Sequence, residues 1–149
     1  MLSCFDIADY FVCLANETGS FVSNLKLQKL VYYAQAWHLA LYQQPLFPED
    51  FQAWVHGPVI PSLYQKYKSF GWQPIIEDAI AQLPEEVVQF LDEVAQEYFA
   101  CDAYELEYMT HMEDPWILAR GDLLSDAPSS TIIDKDWIQE YYGARVQED

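Results

Sequence analysis

Apolar residues recur at helical spacing along most of the chain. Ile7, Phe11 and Leu14 fall at i, i+4 and i+7, with Ala8, Val12 and Ala15 widening the stripe, so the pattern predicts a helix that stops at Gly19. Asn24 is positioned to cap the next helix. It runs to about Tyr42, with Leu27, Leu30, Val31, Ala34 and Leu41 on one face, and Pro45 and Pro48 limit its extent. Residues 51–55 alternate instead and predict a short strand ended by Gly57-Pro58. Trp72 to Ile76 is the β-prone segment expected to pair with it. Pro61 suits the first turn of a helix carrying Leu63, Tyr67 and Phe70, closed by Gly71.

Pro84 opens a helix with Val87, Leu91, Val94 and Tyr98 inward and Phe90 beside them. Asp102 and Glu105 have the spacing of a capping box for a helix through about Met112. Asp114-Pro115 restarts a helix that Gly121 ends, and residues 122–131 form a loop. A last helix presents Ile133, Trp137 and Tyr141 at i, i+4 and i+8 before Gly143, and residues 144–149 read as a frayed tail. The expected fold is mainly α: one compact domain over residues 1–149, with six to seven helices and a short two-stranded β element.

Charge narrows the function classes. Seven Lys and Arg against 24 Asp and Glu give a formal charge of -17, which argues against nucleic acid and against anionic membranes as partners. Residues 1–76 hold five acids against four lysines. The other 19 acids meet only Arg120, Lys135 and Arg145, so residues 77–149 carry -16. Acids coat soluble helices for solubility, and the same field steers a basic partner. Cys4, Cys13 and Cys101 lack metal-ligand spacing and read as reduced thiols. No stretch is long and apolar enough to span a bilayer, and the N-terminus lacks a signal's basic residues. The expected location is the cytoplasm.

Candidate chemistry is sparse. There is no nucleophile elbow and no glycine-rich phosphate loop, and His38 reads as a hydrogen-bonded core histidine. His111, Glu113 and Asp114, with His56 joining in space, are the one conceivable metal set, but their spacing matches no zinc signature. Aromatics stand out more. Tyr32, Tyr33, Trp37, Tyr42, Trp54, Tyr64, Tyr67 and Trp72 exceed what one small core accommodates. Those left at the surface suit protein interfaces.

The run LQKLVYYAQAWHLALYQQPLF (residues 27–47), then FQAWVHGPVIPSLYQKYKSFG (51–71) and LEYMTHMEDPWILAR (106–120), resembles the Panacea domain family of SocA-like antitoxins and phage-associated proteins. The closing turn around Ile132, Ile133, Trp137 and Tyr142 continues the likeness. The resemblance implies a mostly helical, non-enzymatic prokaryotic or phage protein without cofactor or metal. It implies neutralisation of a partner toxin by direct contact, and the toxin's fold is not implied. One member type is a proteolytic adaptor for a ClpXP-like protease, which is a second reading. An acidic phage-type inhibitor that mimics DNA is a third, and a metal enzyme built on His56, His111 and Asp114 a fourth. Trp54, His56, Gly57 and Pro58 are the most characteristic stretch, and His111, Pro115 and Trp116 the second. Turn, cap and core roles account for these residues. Tyr33, Trp37 and Tyr64 complete the set of candidate partner-binding residues.

Overall fold

The structure is a computed structural model describing residues 1–146. One helix organises it. α2 (Asn24–Tyr42) touches α1 (Cys4–Thr18), α3 (Pro61–Tyr67), α4 (Glu85–Tyr98), α5 (Ala103–His111), α7 (Lys135–Arg145) and strand β2 (Gly57–Val59). Among the described elements α6 (Asp114–Arg120), strand β1 (Gln52–Trp54) and the short 3-10 helix Lys68–Phe70 lie outside its main contacts, and α6 packs on both α7 and β1. Surrounded this way, α2 is apolar nearly all round and buries Leu27, Leu30, Val31, Tyr32, Tyr33, Ala34, Ala36 and Leu39. Four polar side chains share that interior. Asn24, Gln28 and Gln35 hold α3 and the neighbouring loops by amide hydrogen bonds: to the Tyr64 carbonyl, the Ile60 N–H, and the Leu46 N–H with the Phe47 carbonyl, respectively. The fourth, Lys29, is described below.

Helix ends follow local chemistry. Ser3 and Asp6 form a capping box on α1, and Gly19 ends it with φ +68°. Ser23, not Asn24, caps α2 by accepting from the Lys26 N–H. Asn24 is instead the first helical residue, turned inward. Asp102 and Glu105 form the expected capping box on α5. Pro61 and Pro115 occupy first turns of α3 and α6.

The β pairing and the last helix also differ from expectation. β1 pairs antiparallel with β2, not with Trp72–Ile76, and Gly57-Pro58 therefore begins a strand rather than ending one. The turn at Val55 and His56 closes a two-residue hairpin with Trp54 opposite Gly57. The other side of β1 is also taken, since the Ala53 N–H donates to the Thr131 carbonyl and the Ile133 N–H to the Phe51 carbonyl. Trp72–Ile76 thus has no free edge and stays irregular, tied by the Ile75 N–H to the Val22 carbonyl. Pro58 is tolerated in β2 because Ala53, opposite it, points its N–H at Thr131 and its carbonyl at Arg120, away from Pro58.

On α7, Ile138 and Tyr142 face inward with Ile133, while Trp137 stands at the surface and Tyr141 is half-buried. α7 also continues through Gly143 and Ala144 to Arg145, so the frayed tail does not begin at residue 144. Residues 147–149 lie outside the described residues. Leu41, assigned to the inner face of α2, is exposed.

Candidate functional site

The family-like residues fall into a hairpin junction and a separate aromatic nest. The first is the hairpin and what lies beneath it. Gly57 has φ +107°, and a Cβ there would stand 2.7 Å from Lys29 Cε, 3.2 Å from Lys29 Nζ and 3.0 Å from Thr110 Oγ1. Glycine is therefore required twice, for conformation and for space. Under it, Lys29 is fully buried and its Nζ has no hydrogen-bond partner. Burial pushes its amine down to about 7, opposed by Glu107.

Glu107 is engaged at the surface, where Oε1 meets His56 Nδ1 at 2.8 Å. The His111 ring stacks on Trp116 with centroids 4.0 Å apart and planes at 14°. Its Nε2 is buried without a partner. Burial lowers the His111 pKa, with Glu107 again opposing.

Trp116 Nε1 donates to the Trp54 carbonyl at 2.8 Å, which joins the two characteristic stretches. Arg120, 4% exposed, completes the junction. It donates to the Ala53, Leu124 and Ala127 carbonyls and lies 5.0 Å over the Trp116 ring. One buried guanidinium thereby fixes β1 and the loop after α6.

Outside this junction, Trp54, His56, Tyr64 and Trp72 line a cleft of about 530 Å³ between the hairpin, α3 and residues 128–130. The Trp54 and Tyr64 rings meet edge to face at 5.1 Å, and Trp72 is 69% exposed. Three of the ten candidate residues, Trp54, His56 and Tyr64, thus share one accessible cleft. Gly57, Pro58, Pro115 and Trp116 are buried behind it.

Tyr33 and Trp37 lie elsewhere, in an aromatic nest around Glu113. Tyr33 and Tyr142 hydroxyls both donate to Glu113 Oε1, at 2.6 and 2.7 Å. Tyr33 stacks on Tyr98 at 4.1 Å, and Trp37 Nε1 donates to the Tyr98 hydroxyl at 2.7 Å. Burial raises the Glu113 pKa, and the two hydroxyls and Arg145 draw it back. The aromatic excess therefore divides: Tyr32, Tyr33 and Tyr67 are core, Trp37, Trp54 and Tyr64 are half-buried, and Tyr42 and Trp72 are exposed.

His38 Nδ1 contacts the Gln44 carbonyl at 2.6 Å, as expected, but the side chain is half-buried and not part of the core. Among the described residues no three His, Cys, Asp or Glu side chains gather in a metal-holding group. Among the described residues no helix is long and apolar enough to cross a membrane.

The sequence reading missed three residues that shape these places: Lys29, Thr110 and Arg120. A lysine amid Leu27, Leu30 and Val31 was the available signal for the first. It also missed an outward stripe on α5, where Tyr104, Tyr108 and Met112 recur every fourth residue, 62–78% exposed, opposite the buried Leu106 and Thr110.

These elements define a helical module built on one sheathed helix and a motif hairpin, and its sequence places it in a family. The sequence model of the family described as "Antitoxin SocA-like, Panacea domain" matches residues 27–117, more than half of the chain, and the chain belongs to that family. The protein called Antitoxin SocA, from Caulobacter vibrioides, is 42% identical over 59 residues. That match covers 40% of this chain and 31% of the relative, so the likeness spans about a third of the relative's length. No solved structure matches the chain.

Proposed function

We propose that this chain is an antitoxin-type protein-binding module that neutralises a partner toxin by direct contact, in the cytoplasm of a prokaryote or in a phage-encoded system, without chemistry of its own. The observation that carries the reading is the α5 stripe of Tyr104, Tyr108 and Met112 in a chain of this family. Large apolar side chains exposed together at helical spacing are unfavourable in a free monomer and typical of an interface. The stripe lies in the half of the sequence that carries -16, with Asp102 and Glu105 beside it, which favours a basic partner surface. Family membership and the name of the relative support a toxin as that partner.

The test is rescue. The neighbouring open reading frame is expressed from an inducible promoter, with and without this protein. Growth arrest by the neighbour, relieved by this chain at an unchanged toxin level, is the expected result. A harmless neighbour, or no relief, overturns the reading. Relief accompanied by faster toxin loss, dependent on a ClpXP-like protease, replaces occlusion with delivery to proteolysis.

A further inference from the structure

Between α2, α4 and α7 lies an open cavity of about 660 Å³ that none of the motif residues of the hairpin reaches. Trp37, Phe90, Tyr98 and Tyr142 contribute its aromatic lining, and Glu93, Glu97 and Glu113 its carboxylates. Arg145 is the one basic residue lining it. That guanidinium is committed elsewhere: it lies 3.5 Å over the Tyr141 ring and donates to the Tyr141 carbonyl. It makes no ion pair with Glu113 among the described residues.

Glu113 is a largely buried carboxylate held in place by two hydroxyls. Both donate to the same oxygen, Oε1, so Oε2 is the atom left for a further donor. Uncharged hydroxyls orient a carboxylate without neutralising it. Aromatic rings around a carboxylate that feels Arg145 only at a distance and has no ion pair among the described residues form the complement of a planar cation, which stacks on the rings and donates to the oxygen. Helix α4 adds to the preference with Glu93 and Glu97, against one guanidinium in the lining.

We propose that this cavity receives the guanidinium of an arginine side chain presented by the protein partner, with Glu113 Oε2 as its acceptor and Trp37 and Tyr98 as its walls. The identity of the donor molecule rests on the protein-binding reading above, whereas the cation preference of the cavity does not. Arginine is favoured over lysine because its flat, weakly hydrated head both stacks and forks.

The probe is ethylguanidinium, with uncharged ethylurea as its control, titrated at constant ionic strength while the Trp37 indole N–H is followed by NMR. A few-atom ligand binds in the millimolar range. The expected result is a saturable Trp37 shift with ethylguanidinium, none with ethylurea, and at least fivefold weaker binding in Glu113→Gln. Glutamine keeps an acceptor for Tyr33 and Tyr142 but removes the charge. Asp78→Asn, an exposed acid outside the cavity lining, binds as wild type. A shift that does not saturate, equal shifts with ethylurea, or unaltered binding in Glu113→Gln overturns the proposal. Should Glu113→Gln lose its native amide spectrum, the exposed pair Glu93→Gln and Glu97→Gln takes its place. At least twofold weakening is then expected, and unchanged binding overturns the proposal. Saturable binding without toxicity rescue leaves this cavity standing and removes the antitoxin reading, and the reverse pair of results does the opposite.

Discussion

Lys29 Nζ lies 3.2 Å from where a side chain on residue 57 would begin, so the glycine of the hairpin and the lysine of the central helix occupy one another's space. Gly57→Ala places a Cβ 2.7 Å from Lys29 Cε and forces alanine to φ +107°. The lysine tip could yield, but the backbone strain stays. We expect a loss of about 2–4 kcal/mol, read as a lowered urea midpoint with an unchanged slope. Lys29→Ala in the same chain, which removes the crowding Cε, should recover little of it when compared with Lys29→Ala alone. Full recovery would mean that crowding, not backbone conformation, sets the cost.

Lys29 itself should make stability depend on pH. Its amine sits near 7 in the folded chain against an ordinary 10.5 when unfolded. Between those values the unfolded chain holds one more proton than the folded one, so stability rises with pH. Below about 7 both states are charged, and the buried ammonium exerts its full penalty. The slope approaches about 1.4 kcal/mol per pH unit between pH 7 and 9. Above that range the buried Cys4 thiol, pushed up to about 12, acts in the opposite sense, because its unfolded form ionises first. Urea titrations of wild type and Lys29→Met at pH 6, 7, 8 and 9 check this. The variant should be flatter and more stable at pH 7, and parallel curves would refute it.

Glu113→Ala leaves the Tyr33 and Tyr142 hydroxyls buried without their acceptor. The expected loss is about 2–4 kcal/mol, against less than 1 kcal/mol for Glu113→Gln. Thermal unfolding of the two variants distinguishes them. Equal losses would show that the charge, not the acceptor, is what the tyrosines require.

Arg120→Ala removes three carbonyl partners and the stack on Trp116. The loop at residues 122–131 should become the first site of limited proteolysis, with global stability down by about 3 kcal/mol or more. An unchanged cleavage map would place the loop's anchor elsewhere.

Tyr104→Ala with Tyr108→Ala should leave the unfolding midpoint within about 0.5 kcal/mol of wild type, since both rings are exposed. Toxin affinity should fall at least tenfold in a pull-down calibrated by titration. Association should also weaken between 50 and 500 mM salt if the acidic half steers it. Salt-independent binding would remove the electrostatic part of the reading.

The helices were largely legible because their punctuation is local. Gly19, Pro61, the Asp102–Glu105 box and Asp114-Pro115 each act within a turn of the chain. What failed was non-local. α7 offers two apolar pairs at i, i+4: Trp137 with Tyr141, and Ile138 with Tyr142. The second faces inward, where the Tyr142 hydroxyl finds Glu113, 29 residues away. The partner of β1 was likewise undecidable from alternation alone, because Thr131 and Ile133 take one of its edges from across the chain. Of the candidate residues, the sequence led to the hairpin cleft through Trp54 and His56. It did not lead to Lys29, whose importance lies in having no partner.

The sheath around α2 has a consequence for hydrogen exchange. Backbone amides from Leu30 to Ala36 lie on a helix covered by five others and a strand, so no local opening exposes them. Their deuterium uptake should proceed through whole-molecule unfolding alone and return the same free energy at each position. These few amides would then serve as a gauge of global stability inside a complex, even when a bound partner hides every other signal.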